Sequence, residues 1–509
     1  MNDSILIIGA GIAGLSAGCY GQMNGYRTRI FEMGNNPGGL CTAWKRKGYN
    51  IDGCIHWLVG ASPESSFHRI WEQLGAVQGR TFYYHDIFTQ VEGSDGKKLT
   101  VYTDIDRLKE HLEKIAPEDK PVIEELISAI RTCTRHEPPI DKAPELYSFA
   151  DGIRLSGKLP LLKVMKKWGE IPVKEFANRF NSPFLRESFP LIFGIPDFPM
   201  ASMIITLAWL NNRWAGYPIG GSLEFARAIE RRYASLGGEI HYGSRVEKIL
   251  VQDDSAMGIR LDNGEEYCAD IVISAADGHS TIFEMLEGNY TDDTIRGYYE
   301  GLRLFPPLIY ISLGIKGTFE DFPPSVSGVS FPVPEPLWID GHKLERISAQ
   351  LYSFDPALAP KGNTVMRVML MADYDYWKQL EQKPEEYRAE KERVSKQVIA
   401  ALERRFPNIS GNLDMLDMAT PLTFERYTNN WRGSFEGWLP TVETFGKRMS
   451  KTLPGLNKFY MAGQWVEPGG GLPPAAMSGR NVIQILCHRD RKHFVAPTPE
   501  HLYHPHPKM

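Results

Sequence analysis

The sequence predicts an α/β protein organised around a parallel sheet, and three observations predict it. An apolar run, Ile5–Ile8, opens into Gly9, Gly11 and Gly14 at G-x-G-x-x-G spacing. The next strand, beginning at Arg29–Phe31, ends in an acid, Glu32. A strand, a glycine turn and a helix recur near the other end, in FYMAGQWVEPGGGLPPAAMSGRNVIQIL. A short, wholly apolar strand is the kind buried in a parallel sheet, and with the glycine spacing it gives a Rossmann-type dinucleotide-binding domain.

Each residue of the first unit has a physical task. Gly9 makes the tight turn, Gly11 lets backbone approach a pyrophosphate, and Gly14 lets the helix pack closely on the strand. Ile12 and Ala13 open that helix, whose free N–H groups and partial positive charge receive the diphosphate. Ala10, Ala13 and Ala17 keep the helix close to the sheet. Glu32 accepts hydrogen bonds from ribose hydroxyls and repels a ribose phosphate, which favours FAD or NAD over NADP.

At 509 residues the chain is long for one hydrophobic core, so two or three domains are expected. A 42% apolar, 11% aromatic composition is that of a globular protein. The net charge of -5, from 62 acids and 57 bases without an extended single-sign tract, does not point to nucleic acid. The chain opens directly on its first strand with no basic leader, so secretion is not expected and a cytoplasmic location is. The run MASMIITLAWL at 200–210 is too short to cross a bilayer. Cysteines 19, 41, 54, 133, 268 and 487 have neither metal nor disulfide spacing, and no metal is expected.

After Glu32, Gly38 and Gly39 form a second glycine turn, and Gly48–Asp52 alternates like a strand leading to Gly53. This segment resembles the second flavin-binding stretch of the phytoene desaturase, carotenoid isomerase and retinol saturase family. The resemblance implies FAD as cofactor, a glutathione-reductase-like flavoprotein fold and a polyene substrate. Related flavoproteins often follow the glycine pair with an arginine facing the diphosphate, where this chain has Leu40. Lys45, Arg46 or Lys47 supplies that charge, or forms a solvated basic turn.

Residues 64–135 mix amphipathic helical patterns, as in ESSFHRIWEQLG, with short strand-like pieces. Residues 153–215 read as a helical lid. Lys158, Lys163, Lys166 and Lys167 sit among apolar residues and precede a rim of large apolar side chains, a pattern suited to docking on a membrane surface or to packing on the chain's own domain. A helix follows Gly220-Gly221-Ser222 and closes at Gly237-Gly238. Beyond it, Asp262-Asn263-Gly264 forms a hairpin turn. The strand holding Val246 resembles the adenine-contacting strand of such flavoproteins, and IVISAA, with Ala275, returns the chain to the main sheet. The FAD-binding domain is therefore expected to be discontinuous, comprising 1–75, 219–280 and 455–490. Residues 76–218 and 281–454 form a mixed α+β substrate domain, and 491–509 a tail.

Trp431, Phe435, Trp438 and Phe445 crowd the segment before the last motif and either line a pocket or fill a core. That motif resembles the family's C-terminal flavin stretch and implicates Gly463, Gln464, Gly470, Gly471 and Leu472, with Gln464 replacing the family's acid. Its helix N-terminus would stabilise negative charge on a reduced flavin. The tail's His488, His493, His501, His504 and His506 offer a weak metal pattern in a segment composed for disorder or surface wrapping.

The chain has no second glycine fingerprint for a nicotinamide domain, and Cys41 has no partner at redox spacing. Together with the resemblance, this implies FAD-dependent desaturation, saturation or cis–trans isomerisation at a carbon–carbon double bond of a long apolar molecule, with the electron partner left open. Proton-transfer candidates are His56, just past the second flavin stretch, Glu467, just before the C-terminal glycines, and Tyr310. An amine oxidase shares the architecture. So does a lipid-binding carrier resembling the prenyl-binding Rab escort and dissociation-inhibitor proteins.

Overall fold

In the computed structural model, residues 3–317, 319 and 322–499 are described. Distant parts of the chain build one five-stranded parallel sheet, in the order Glu239–His241, Arg27–Phe31, Ser4–Ile8, Ile271–Ser274 and Phe459–Met461. The central strand is buried on both faces, as its unbroken apolar run demands. Between His241 and Val246 the chain passes from one sheet to another. Glu239–His241 joins the parallel sheet, and Val246–Gln252 starts a three-stranded antiparallel sheet. The expected hairpin turn follows there, with Gly264 N–H donating to the Leu261 carbonyl at 3.0 Å.

Helix Ile12–Met23 packs against the C-terminal helix Leu472–Arg489. At their crossing a Cβ on Gly479 would collide with the Ala13 carbonyl and lie 2.8 Å from the Ala17 nitrogen. Ser16 Oγ donates to the Ala476 carbonyl at 2.6 Å. The second helix starts at Leu472, and its two prolines occupy the first turn, where free N–H groups make them harmless.

A seven-stranded sheet runs Leu413–Ala419, Leu308–Lys316, Asn363–Met371, His342–Leu351, Val329–Ile339, Ile87–Glu92 and Lys98–Tyr102. Strand alternation divides its residues between two environments. Ile309, Ile311 and Leu313 pack in the core cluster that holds Val394, Val398 and Leu402 of the helix Pro384–Arg405, while Leu308 and Tyr310 face the site described below.

Five helices span the expected lid: Phe149–Leu155, Leu159–Gly169, Val173–Ala177, Pro183–Ser188 and Met200–Asn211. The last lies in the core against helix Lys120–Thr134, so the run at 200–210 is not an exposed rim. Among the described residues no helix is long and apolar enough to cross a membrane. The first part of the tail packs against helix Ile12–Met23. Asn24 exchanges two hydrogen bonds with the Val495 backbone, both at 2.8 Å, and Phe494 rests 5.8 Å from the Tyr20 ring. His501, His504 and His506 lie outside the described residues, and no group of metal-ligating side chains occurs among the described ones.

Candidate active site

One cavity of about 490 Å³ extends from the parallel sheet to the large sheet. At its first end Gly9, with φ 94°, turns the chain while its N–H donates to the Phe31 carbonyl at 2.8 Å. A Cβ on Gly14 would strike the Gly9 carbonyl, and one on Gly11 would meet nothing. The first glycine is thus required for packing, and the second leaves open space where a ligand can approach the backbone. Glu32 is buried, and its two carboxylate oxygens accept the Ala10 and Gly34 N–H groups, each at 2.7 Å. Ionised oxygens retain lone pairs for further donors.

The second glycine turn is tied to the first: Gly38 N–H donates to the Ala10 carbonyl at 2.8 Å, and a Cβ on Gly39 would lie 3.4 Å from the Gly11 Cα. Val246 is held near Glu32, because the neighbouring Ser244 N–H donates to the Glu32 carbonyl at 2.8 Å. Ala275 N–H bonds the Ile8 carbonyl at 2.9 Å. At the C-terminal motif, Gly463 N–H donates to Ser478 Oγ at 2.8 Å. All the expected cofactor-binding residues line the cavity except Gly14, which packs behind Gly9, and Gly470, which packs on Glu436.

The basic turn does not reach this space. Arg46 Nε bonds Asp417 at 2.9 Å and Lys47 Nζ the Asp414 carbonyl at 3.2 Å, and neither residue lines the cavity; nor does Lys45. The lining cations among the described residues are Arg245 and Arg367. Leu40 is therefore not compensated by its neighbours in sequence.

The far end has the large sheet as floor and the lid segment Leu191–Phe198 opposite, with Phe305 and Phe435 completing its apolar side. Of the four crowded aromatics, Phe435 alone lines the cavity. Trp438 is buried beside Trp431 and Trp465, and Phe445 packs against Gly169.

The three proton-transfer candidates separate. His56 lines the cavity with its Nε2 buried and without a partner. Burial and, secondarily, the Arg367 charge hold its pKa well below 6.5, so the ring is neutral. Tyr310 also lines the cavity, but its hydroxyl donates to the Asp52 carbonyl and accepts from Arg367 Nη1 at 3.0 Å. Burial pushes that phenol up to about 12. Glu467 lies outside the lining, where it bonds the buried Lys451 at 2.9 Å, which also bonds Glu145 at 2.7 Å.

The structure adds an acid that the sequence reading passed over. Glu436 lines the cavity beside Phe435, lies against Gly470, and forms no hydrogen bond or ion pair with the described residues. Burial pushes its carboxyl up to about 7. The available signal was an isolated acid among aromatics in SFEGW, which folding brings to Gly470. Asp277 is a second such acid, also raised to about 7 by burial although it accepts the Ser280 and Trp431 N–H groups, each at 2.8 Å.

A family model described as flavin containing amine oxidoreductase matches residues 12–485. The chain belongs to that family. Prolycopene isomerase of Arabidopsis thaliana is 24% identical over 95% of this chain and 81% of that protein. A neurosporene-forming phytoene desaturase of Cereibacter sphaeroides is 24% identical over 98% of both. An oxidoreductase structure from Methanosarcina mazei superposes with a TM-score of 0.59, at 17% identity over 94% of this chain and all of that one.

As a member of the flavin-containing amine oxidoreductases, the protein is a flavoenzyme, and its residues fit FAD. Two helix N-termini converge on one cavity, at Ile12 and Leu472, and Gly11 leaves open space beside the first. Glu32 stands at the strand end where a ribose is held. In this family fold, Gly9, Gly11, Ile12, Ala13, Glu32 and Val246 would hold the adenosine diphosphate half, and Gly463, Gln464, Gly471 and Leu472 the flavin half.

Proposed function

We propose that the chain is an FAD-dependent enzyme that desaturates, saturates or isomerises a carbon–carbon double bond in a long, largely apolar polyene or unsaturated lipid. The observation that carries this reading is the continuity of the cavity: the glycine turns and helix ends that suit FAD open into a chamber walled by Leu191, Ile192, Phe193, Phe198, Met369 and Met371. The isomerase and desaturase names of the relatives support the same substrate class.

Bound FAD supplies hydride transfer at its reactive ring atom. The chain's apolar walls hold the substrate chain and exclude water. Glu436, its carboxyl pushed up to about 7, is placed to give or take a proton, and neutral His56 lines the same space with a nitrogen that has no partner. We further infer peripheral contact of the lid face with a membrane, from which an apolar substrate is drawn, in a cytoplasmic setting.

The test is anaerobic mixing of the FAD-loaded protein, in its oxidised and in its reduced form, with a polyene or unsaturated lipid while the flavin spectrum is recorded. Reduction of the oxidised flavin, reoxidation of the reduced flavin, or isomerisation of the added double bond supports the reading. No response to such compounds, with peroxide formed from an amine in air, overturns it in favour of amine oxidation.

A further inference from the structure

The floor of the cavity changes from apolar to charged along a single strand. Residues 367, 369 and 371 share one face of Asn363–Met371. Met371 is 50% exposed and Met369 36%, whereas Arg367 is 3% exposed. In the strand register Leu308 lies beside Met371, Tyr310 beside Met369 and Gln350 beside Arg367. The outer floor is therefore apolar, and a guanidinium stands at its inner end.

That guanidinium has only neutral partners. Nη1 donates to the Tyr310 hydroxyl at 3.0 Å and Nη2 to the Gln350 side-chain carbonyl, with the Tyr310 and Tyr352 rings 5.4 and 5.0 Å away. No carboxylate among the described residues makes an ion pair with it. Asp52 acts on it only at longer range. The Asp52 carboxylate is engaged by Cys54 N–H at 3.1 Å, Tyr217 Oη at 2.8 Å, Ser222 N–H at 3.0 Å and the Ser222 hydroxyl.

A buried cation without a paired anion is costly, and such groups are normally paired. Arg367 retains N–H donors in a planar fork that matches a carboxylate. His56 Nε2, also buried and without a partner, borders the same cavity.

We propose that Arg367, supported by Gln350 and Tyr310, is a head-group site for a carboxylate, and that the preferred substrate is an unsaturated or polyene carboxylic acid. Its hydrocarbon chain lies over Met369, Met371 and Leu308 and beneath Phe193 and Phe198. This deepens the proposed function and rests on it.

The experiment uses the full chain loaded with FAD. Linoleic acid, methyl linoleate and linoleyl alcohol are titrated while tryptophan fluorescence and the flavin spectrum are followed. The acid is expected to bind about tenfold or more tightly than the ester or alcohol, the size of a hydrogen bond to a charged group. Arg367→Gln is expected to remove that preference while changing ester affinity less than about threefold and leaving bound FAD unchanged.

Equal affinity of the wild-type protein for acid and ester overturns the proposal, and this arm stands even where the variant fails to fold. Loss of FAD from a folded Arg367→Gln protein, without acid preference in the wild type, assigns the guanidinium to the cofactor and overturns it too. Acid preference in a protein whose flavin neither gains nor loses electrons to these lipids, and which isomerises none of them, leaves the head-group site supported and removes the proposed reaction. The two failures are thereby distinguished.

Discussion

Gly479 crosses directly over Ala13, and the Ala13 carbonyl occupies the space that any side chain at 479 would need. This contact aims both helix N-termini into one cavity, so packing here governs the cofactor site. Gly479→Val should force the helices apart. Overpacking of this kind costs about 1–3 kcal/mol, and the expected result is a lowered Tm together with a substoichiometric flavin content. Wild-type flavin content and Tm would show that the crossing does not set the site.

Glu32 ties the first glycine turn to the loop after the second strand through the Ala10 and Gly34 N–H groups. Glu32→Ala leaves both donors without their acceptor and removes the group placed for ribose. Hydrogen bonds to a charged group are worth about 1.5–3 kcal/mol each, so FAD affinity should fall at least about tenfold. Glu32→Gln, retaining one acceptor oxygen, should fall between. The check is titration of the apoprotein with FAD, and equal affinity of Glu32→Ala and wild type would refute the assignment.

The cofactor end was legible in the sequence because its residues are required locally. Gly9 needs a positive φ, Gly14 must admit a carbonyl, and Glu32 closes the adjacent strand. The reacting end was not, because its residues meet only through tertiary packing. Arg367 reaches Tyr310 across neighbouring strands, and Glu436 reaches Gly470 across a loop and a strand. Proximity in sequence misdirected the choice of Glu467: it stands close to the glycines along the chain, yet its carboxylate turns to Lys451. The apolar run at 200–210 reads as rim from its place after the lysine-rich stretch, yet a helix apolar on every side is one that packs in a core.

Glu436 should govern the pH dependence. Its folded-state pKa is raised from the ordinary 4.5 to about 7 by burial. A raised carboxyl contributes stability below about 4.5 that is lost as pH rises through about 7. Glu436→Gln should therefore match the wild-type Tm in acid, allowing for the loss of the acid itself, and gain relative to it above pH 7. Asp277, raised to about 7 as well, keeps a similar slope in both proteins. Turnover per bound flavin should fall roughly 10²-fold or more, the usual scale for a lost general acid. Near wild-type turnover with parallel pH profiles would remove Glu436 from the chemistry.

Glu467→Gln should behave differently. It weakens one side of the buried Lys451 site while Glu145 remains, so the expected effect is a lowered Tm. Turnover per bound flavin should fall far less than in Glu436→Gln. A larger catalytic loss at Glu467 than at Glu436, measured on flavin-replete protein, would reverse the two assignments.

The proposed membrane contact would use a defined surface. Phe149 is 89% exposed, and Ile153, Leu159 and Leu162 are exposed near it on the first two lid helices. Lys163 and Lys166 flank them, while Lys167 is engaged by Glu125 at 2.8 Å. Insertion of apolar side chains with flanking cations gives binding that strengthens with anionic lipid and weakens with salt. Sedimentation with phosphatidylserine-containing vesicles should bring down the wild-type protein, and Phe149→Ser with Ile153→Ser should leave most of it in the supernatant. Neither substituted residue lines the cavity, so the flavin content of the double variant should be unchanged. Equal sedimentation of both proteins would place the contact elsewhere, and no sedimentation of either would remove it.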